Sequence, residues 1–153
     1  MIIISGGQSG VDRAALDVAR KCKINHGGWC PQGRLAEDIS PLPSHYHLQE
    51  TSSTDPNVRT EKNVDEADAT LILLPNKTYK MTSGTLFTVE YAIATKNQYL
   101  ILSLAQPPAR KNFIHWLSQY KVQTLNIAGP RESKVPGIYQ LSYDWLISIF
   151  EKS

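Results

Sequence analysis

Ala69-Thr70-Leu71-Ile72-Leu73-Leu74 has no apolar–polar alternation, and that decides the fold class. A strand with one solvated face alternates; a strand covered on both faces reads as a continuous apolar run. The stretch therefore predicts a strand in a sheet enclosed by helices, the setting of parallel sheets. Similar runs lie at residues 1–5, 98–104 and 122–128, and a weaker one at 23–29 is interrupted by Asn25 and His26. Five strands are expected.

Helical patterns fill the intervals. Residues 12–22 place Ala15, Val18, Ala19 and Cys22 on one face. Residues 59–66 suit a short polar helix. Residues 85–96 carry Leu86, Val89 and Ile93 at helical spacing. Residues 111–120 line up Phe113, Trp116, Leu117 and Tyr120, an amphipathic face. Residues 136–151 put Pro136 in a first turn and align Ile138, Leu141, Trp145 and Ile149. Alternating strands and helices predict an α/β, Rossmann-like, open and mainly parallel sheet with helices on both faces. The segment 30–58 has no clean period and is long for a plain connection, which marks it as a functional or mobile loop, a candidate lid.

The chain has 153 residues, enough for one domain spanning 1–153 without a metal or disulfide staple. With 41% hydrophobic and 20% charged residues it is not a disordered chain. A net charge of +2 carries no general nucleic-acid or membrane-surface signature. No stretch approaches the ~20 apolar residues of a membrane span. The apolar start is too short for a signal peptide, and Cys22 and Cys30 form neither a CxxC pair nor a disulfide framework. A reducing, cytoplasmic setting is expected.

The glycines point to a ligand. Strand one runs into Gly6-Gly7-Gln8-Ser9-Gly10-Val11-Asp12-Arg13, and strand two into Gly27-Gly28-Trp29-Cys30-Pro31-Gln32-Gly33-Arg34. Strand three leads, after a short loop, to Thr82-Ser83-Gly84-Thr85, and strand five to Ala128-Gly129-Pro130-Arg131-Glu132-Ser133. In a parallel sheet all four gather at the carboxyl edge, where ligands bind. Glycine lets backbone N–H groups approach an anion, and a helix N-terminus adds free N–H groups and a positive dipole end. Ser9, Thr85 and Ser133 can cap a helix or donate to a phosphate; Arg13, Arg34, Arg59 and Arg131 stand close enough in sequence to pair with one. One such loop can simply make a tight turn; four on one edge favour an anion site.

Other chemistries fit less well. There is no GK[ST] and no GxGxxG, and Gly7-Gln8-Ser9-Gly10 falls short of a nucleophile elbow. His45 and His47 lack a third ligand at metal-binding spacing. Cys30 beside Trp29 reads as a buried structural thiol, with a soft ligand or redox thiol as the alternative. No metal site is assigned.

Taken together the motifs resemble the molybdenum cofactor carrier proteins. The likeness runs through residues 4–17, 27–38, 59–64, 68–71, 83–88 and 125–133, in order and over nearly the whole chain. It implies a Rossmann-like fold and kinship with a wider group that includes the Lonely Guy phosphoribohydrolases, once labelled lysine decarboxylases. Enzymes of that group carry PGGxGTxxE. Here Thr82-Ser83-Gly84-Thr85-Leu86-Phe87-Thr88 puts Thr88 in the glutamate position, and Glu90 stands about 200° round a helix from it. No catalytic residue is expected.

The resemblance implies a carrier that binds, protects and transfers molybdenum cofactor. Gly7, Gln8, Ser9, Gly10, Ser83, Gly84 and Thr85 are the expected anion donors, and Thr88 belongs to the same motif. Arg13 is the expected charge partner; Arg59, Glu61 and Asn63 are expected at the polar pterin edge. A homo-oligomer and transient contact with molybdoenzymes are implied too. Two alternatives stay open: a nucleotide-binding protein or phosphoribohydrolase acting on a nucleoside monophosphate, and an inorganic site for molybdate or phosphate alone.

Overall fold

The structure is a computed structural model and describes residues 1–152. In chain order the elements are β1 (Ile2–Ile4), α1 (Val11–Lys21), β2 (Asn25–Gly27), β3 (Trp29–Cys30), β4 (Gln49–Glu50) and α2 (Pro56–Glu66). Then follow β5 (Ala69–Leu74), α3 (Ser83–Ala94), β6 (Gln98–Ser103), α4 (Arg110–Gln119), β7 (Thr124–Ala128) and α5 (Ile138–Phe150). The main sheet has the order β2-β1-β7-β5-β6, and every pairing in it is parallel. β5, whose unbroken apolar run predicted enclosure on both faces, is buried at all six positions.

The two faces of the sheet differ in kind. Ile3, Leu71, Leu73, Leu125 and Ile127 join one large apolar cluster with Ala15 and Val18 of α1, Phe113 and Leu117 of α4, and Trp145 and Leu146 of α5. Phe113 meets Trp145 edge-on, with ring centroids 5.2 Å apart. Burying one such aromatic side chain contributes about 2–3 kcal/mol. The opposite face has a small apolar cluster of Ile72, Leu74 and Val89 of α3. Thr70 and Asn126 are opposite one another in register and share the parity of Ile72, so they lie on this second face. Polar residues there leave room for a polar cavity.

Several boundaries differ from the sequence expectation: α3 begins at Ser83 and not at 85, β7 at Thr124 and not at 122, α1 and α4 shift by one residue, and three further differences have a visible cause. The strand expected over 23–29 covers only Asn25–Gly27, because Gly28 turns the chain away at φ +123°. A side chain at Gly28 would strike the Ser5 carbonyl, so the turn packs directly on the end of β1. The next residues form β3, which leads into the segment 30–58 and pairs with β4 within it as a separate two-stranded parallel sheet. That segment is also tied by Arg34, whose guanidinium donates to the carbonyls of Leu42, Pro43, Tyr46 and Leu48. Arg34 therefore organises the segment from within.

The second difference is α2, which begins at Pro56 and not at 59. Asp55 caps it, accepting the Asn57 N–H at 2.9 Å, with Pro56 at the first position. The third is α5, which begins at Ile138. Pro136 lies outside it, and the Glu132 carboxylate caps its start by accepting the N–H groups of Gly137 and Tyr139.

Candidate functional site

A cavity of about 730 Å³ opens at the carboxyl ends of β1 and β7, between α2 and the first turns of α3. That volume is within the usual range for small-molecule sites. Gly6 and Gln8 line it from the loop after β1; Asn126, Gly129 and Arg131 line it from β7 and beyond. α2 contributes Arg59, Thr60 and Asn63, and α3 contributes Ser83, Gly84, Thr85 and Thr88.

Three N–H groups of the first glycine loop are already partnered. The Gly7 N–H donates to Ser5 Oγ, the Gln8 N–H to Asp12 Oδ2 at 3.3 Å, and the Ser9 N–H to Gln8 Oε1 at 3.0 Å. Ser9 Oγ accepts the Glu132 N–H at 3.1 Å, and Gly10 packs against the backbone of residues 130–132. Gly7, Ser9 and Gly10 are not among the lining residues; they fix the junction of β1, α1 and the turn after β7. Arg13 is also outside the lining. Its guanidinium donates to the Gly7 carbonyl and pairs with Asp38 at 3.0 Å.

α2 brings an ion pair to the wall. Arg59 Nη1 lies 3.2 Å from Asp12 Oδ2, and both side chains are nearly buried. The guanidinium crosses Gly6 so closely that a Cβ there would collide with it. Asp12 feels opposing influences. Burial pushes its carboxyl pKa up, while the Arg59 charge and the Gln8 N–H pull it down; the net direction is upward. Asn63 lines the cavity, but its amide is spent on the backbone of Trp29, accepting at 2.8 Å and donating at 3.0 Å. Glu61 is not a lining residue.

α3 presents the open donors. Its N-cap, Thr82, makes no side-chain cap bond. Among the described residues the N–H groups of Ser83, Gly84 and Thr85 have no hydrogen-bond partner, as first-turn groups do not within a helix. Nothing stands within 4 Å of a Cβ built on Gly84. Thr85 is 5% exposed, and its hydroxyl has no partner among the described residues. Thr88 Oγ1 donates back to the Gly84 carbonyl at 3.2 Å. Three free N–H groups, a hydroxyl and a helix dipole suit an anion. Lys134 and Arg131 supply positive charge in the same lining.

Several site features escaped the sequence reading. Asp12, Asn126 and Lys134 line the cavity, and the buried Asn within the apolar run of β7 was the available signal for one of them. Glu90, expected to face away, also lines the cavity. Ser133, expected as a cap or anion donor, instead donates to Glu37 at 2.7 Å. Cys30 is fully buried, and burial pushes its thiol pKa up. His47 stacks on His26 with ring centroids 4.7 Å apart. Among the described residues no group of three or more His, Cys, Asp or Glu side chains could hold a metal ion, and no helix is long and apolar enough to cross a membrane.

Residues 3–150 match the model of the circularly permutated YpsA SLOG family. The chain belongs to that family. Among solved structures, this SLOG chain is similar to the crystal structure of a protein from Syntrophus aciditrophicus SB named "putative molybdenum carrier protein". The two are 43% identical with a TM-score of 0.88, over 97% of this chain and 93% of that one. None of the curated proteins compared matches the SLOG chain. The family likeness carried by the glycine motifs is thus borne out, as is the Rossmann-like parallel fold.

Proposed function

We propose that this protein binds, shields and hands on molybdenum cofactor at the cavity between α2 and α3. The first turn of α3 carries the proposal: its free N–H groups and the unpaired hydroxyl of the nearly buried Thr85 line a cavity large enough for a pterin with its phosphate. Ser83, Gly84 and Thr85 hold the phosphate, with Arg131 and Lys134 as charge partners. Gln8, Arg59, Asn63 and Thr88 complete the wall. Gly7, Ser9, Gly10 and Arg13 act behind it by fixing the loop after β1. The likeness to a protein named as a molybdenum carrier supports this ligand over others.

The test is to load purified protein with cofactor under anaerobic conditions and then add a cofactor-free molybdoenzyme. Slower cofactor decay than in buffer, followed by activation of the enzyme, is expected. Decay as fast as in buffer would refute carriage. Molybdate and phosphate titrations separate a pterin site from a small-oxyanion site. Two free cysteines, one of them buried, suit a reducing cytoplasm.

We read the protein as a carrier and not an enzyme, because Thr88 spends its hydroxyl on the Gly84 carbonyl. One observation favours a second reading, phosphoribohydrolysis of a nucleoside monophosphate: Glu90 places a carboxylate in the lining. Chromatography of nucleoside monophosphate incubations for released base decides it, and turnover lost in Glu90→Gln would promote it. Homo-oligomerisation finds support in the exposed Leu86 and Ile93 of α3 and Ile101 of the edge strand β6. Sedimentation velocity tests it.

A further inference from the structure

The cavity has two chemically opposite ends. The first turn of α3 offers free N–H donors, while Glu90 stands further along the same helix. Across from it two nearly buried residues, Asp12 and Asn126, each leave one acceptor oxygen without a partner among the described residues and open to the cavity. Asn126, 3% exposed on the central strand β7, gives its amide N–H to Thr70 Oγ1 at 3.3 Å. Its Oδ1 has no partner among the described residues. Asp12, 6% exposed, takes Arg59 and the Gln8 N–H on Oδ2 and leaves Oδ1 without a partner among those residues. Water can reach both oxygens while the cavity is open, but a ligand that covered them without a donor would leave each unpaired at a cost of about 1–3 kcal/mol, and more when charged. Two such acceptors in one cavity wall call for a ligand that brings N–H groups to them.

An inorganic oxyanion has no such groups. A ligand matching both ends is anionic at one and rich in N–H donors at the other. The 2-amino-4-oxo edge of a pterin or a guanine supplies an exocyclic amine and a ring N–H side by side. That pair suits a carboxylate and an amide oxygen; an edge with a carbonyl at position 2 would set oxygen against oxygen. Arg59, held in the same wall by Asp12, adds a donor for the 4-oxo group.

We propose that Asp12 and Asn126 read the 2-amino edge of the ligand ring, so that the site admits pterin and guanine rings and rejects their 2-oxo and 2-unsubstituted counterparts. This rests on the cavity being the ligand site proposed above. Rejection comes from a wrong ring covering these acceptors without pairing them, the device by which a hydrogen-bonding site discriminates most strongly.

The test compares pterin with lumazine, and guanosine monophosphate with inosine monophosphate, by titration against the full-length protein. The 2-amino member of each pair should bind at least about tenfold tighter. Asp12→Asn and Asn126→Val should each shrink that ratio. Melting curves verify that both variants fold, and the wild-type ratios stand without them. Equal affinities within each pair, preference for the 2-oxo or 2-unsubstituted member, or no binding of any of the four would overturn the proposal. The cofactor-retention experiment decides carriage separately. Retention with no 2-amino preference sinks this inference alone, and a 2-amino preference without retention sinks carriage alone.

Discussion

Arginine is the residue on which this site turns, and each arginine is spent differently. Arg34 ties a loop through four carbonyls, Arg13 braces the first glycine turn, and Arg59 enters the cavity wall through Asp12. Sequence alone placed all of them near an anion. It could not tell which would be consumed by carbonyls, because the acceptors of Arg34 lie 8 to 14 residues away in a segment without periodicity. Gly6 makes the Arg59 seat possible, since any side chain there would displace the guanidinium from Asp12. Gly6→Ala should therefore break a nearly buried ion pair and leave Asp12 uncompensated. Breaking such a pair costs about 3 kcal/mol, and that loss is expected in urea unfolding. A change below about 1 kcal/mol would mean that Arg59 finds another seat without loss.

Elements with a strong period were legible, and elements defined by caps or contacts were not. The run at 69–74 announced β5 because burial on both faces demands apolar residues at every position. β3 and β4 have two residues each, too few for any period, and exist only because they pair with each other. α2 is mostly polar, so its start shows in Asp55-Pro56 and not in an apolar stripe. The same helix carries Arg59 and Asn63 into the wall, so its register matters to the site. Asp55→Ala removes the cap and should cost about 1 kcal/mol in stability. Anion binding at α3 should survive it, because Ser83, Gly84 and Thr85 belong to another helix. Loss of phosphate binding in this variant, with the fold intact by circular dichroism, would show that α2 contributes to the anion end.

At the scale of the molecule, the cavity stands where the strand order changes direction. The β1–α1–β2 unit steps outward one way, the β5–α3–β6 unit steps outward the other way, and β7 closes the gap between them. Ligand crevices form at such points because the flanking connections diverge and leave the strand ends uncovered. Holding that arrangement needs ties between distant parts of the chain. Asp17 of α1 supplies one, accepting from Tyr46 at 2.6 Å and from Tyr139 of α5 at 2.5 Å. Burial, then the hydrogen bond to Asp17 and its negative charge, push the Tyr46 pKa up to about 12, and the same causes raise that of Tyr139 further. A tyrosine unfolded in water titrates near pH 10. The folded state thus holds these protons more tightly, and the resulting stability is fully present below about pH 10. It is lost as pH rises through the folded value of Tyr46, about 12. Urea midpoints measured from pH 8 to 12 should fall across the upper half of that range, by on the order of 2 kcal/mol in unfolding free energy. Asp17→Asn should begin less stable and fall less steeply, because the carboxylate that helps hold both protons is gone. Equal slopes in the two proteins would mean that lysines or other tyrosines set the alkaline limit, and that the Asp17 tie adds nothing to it.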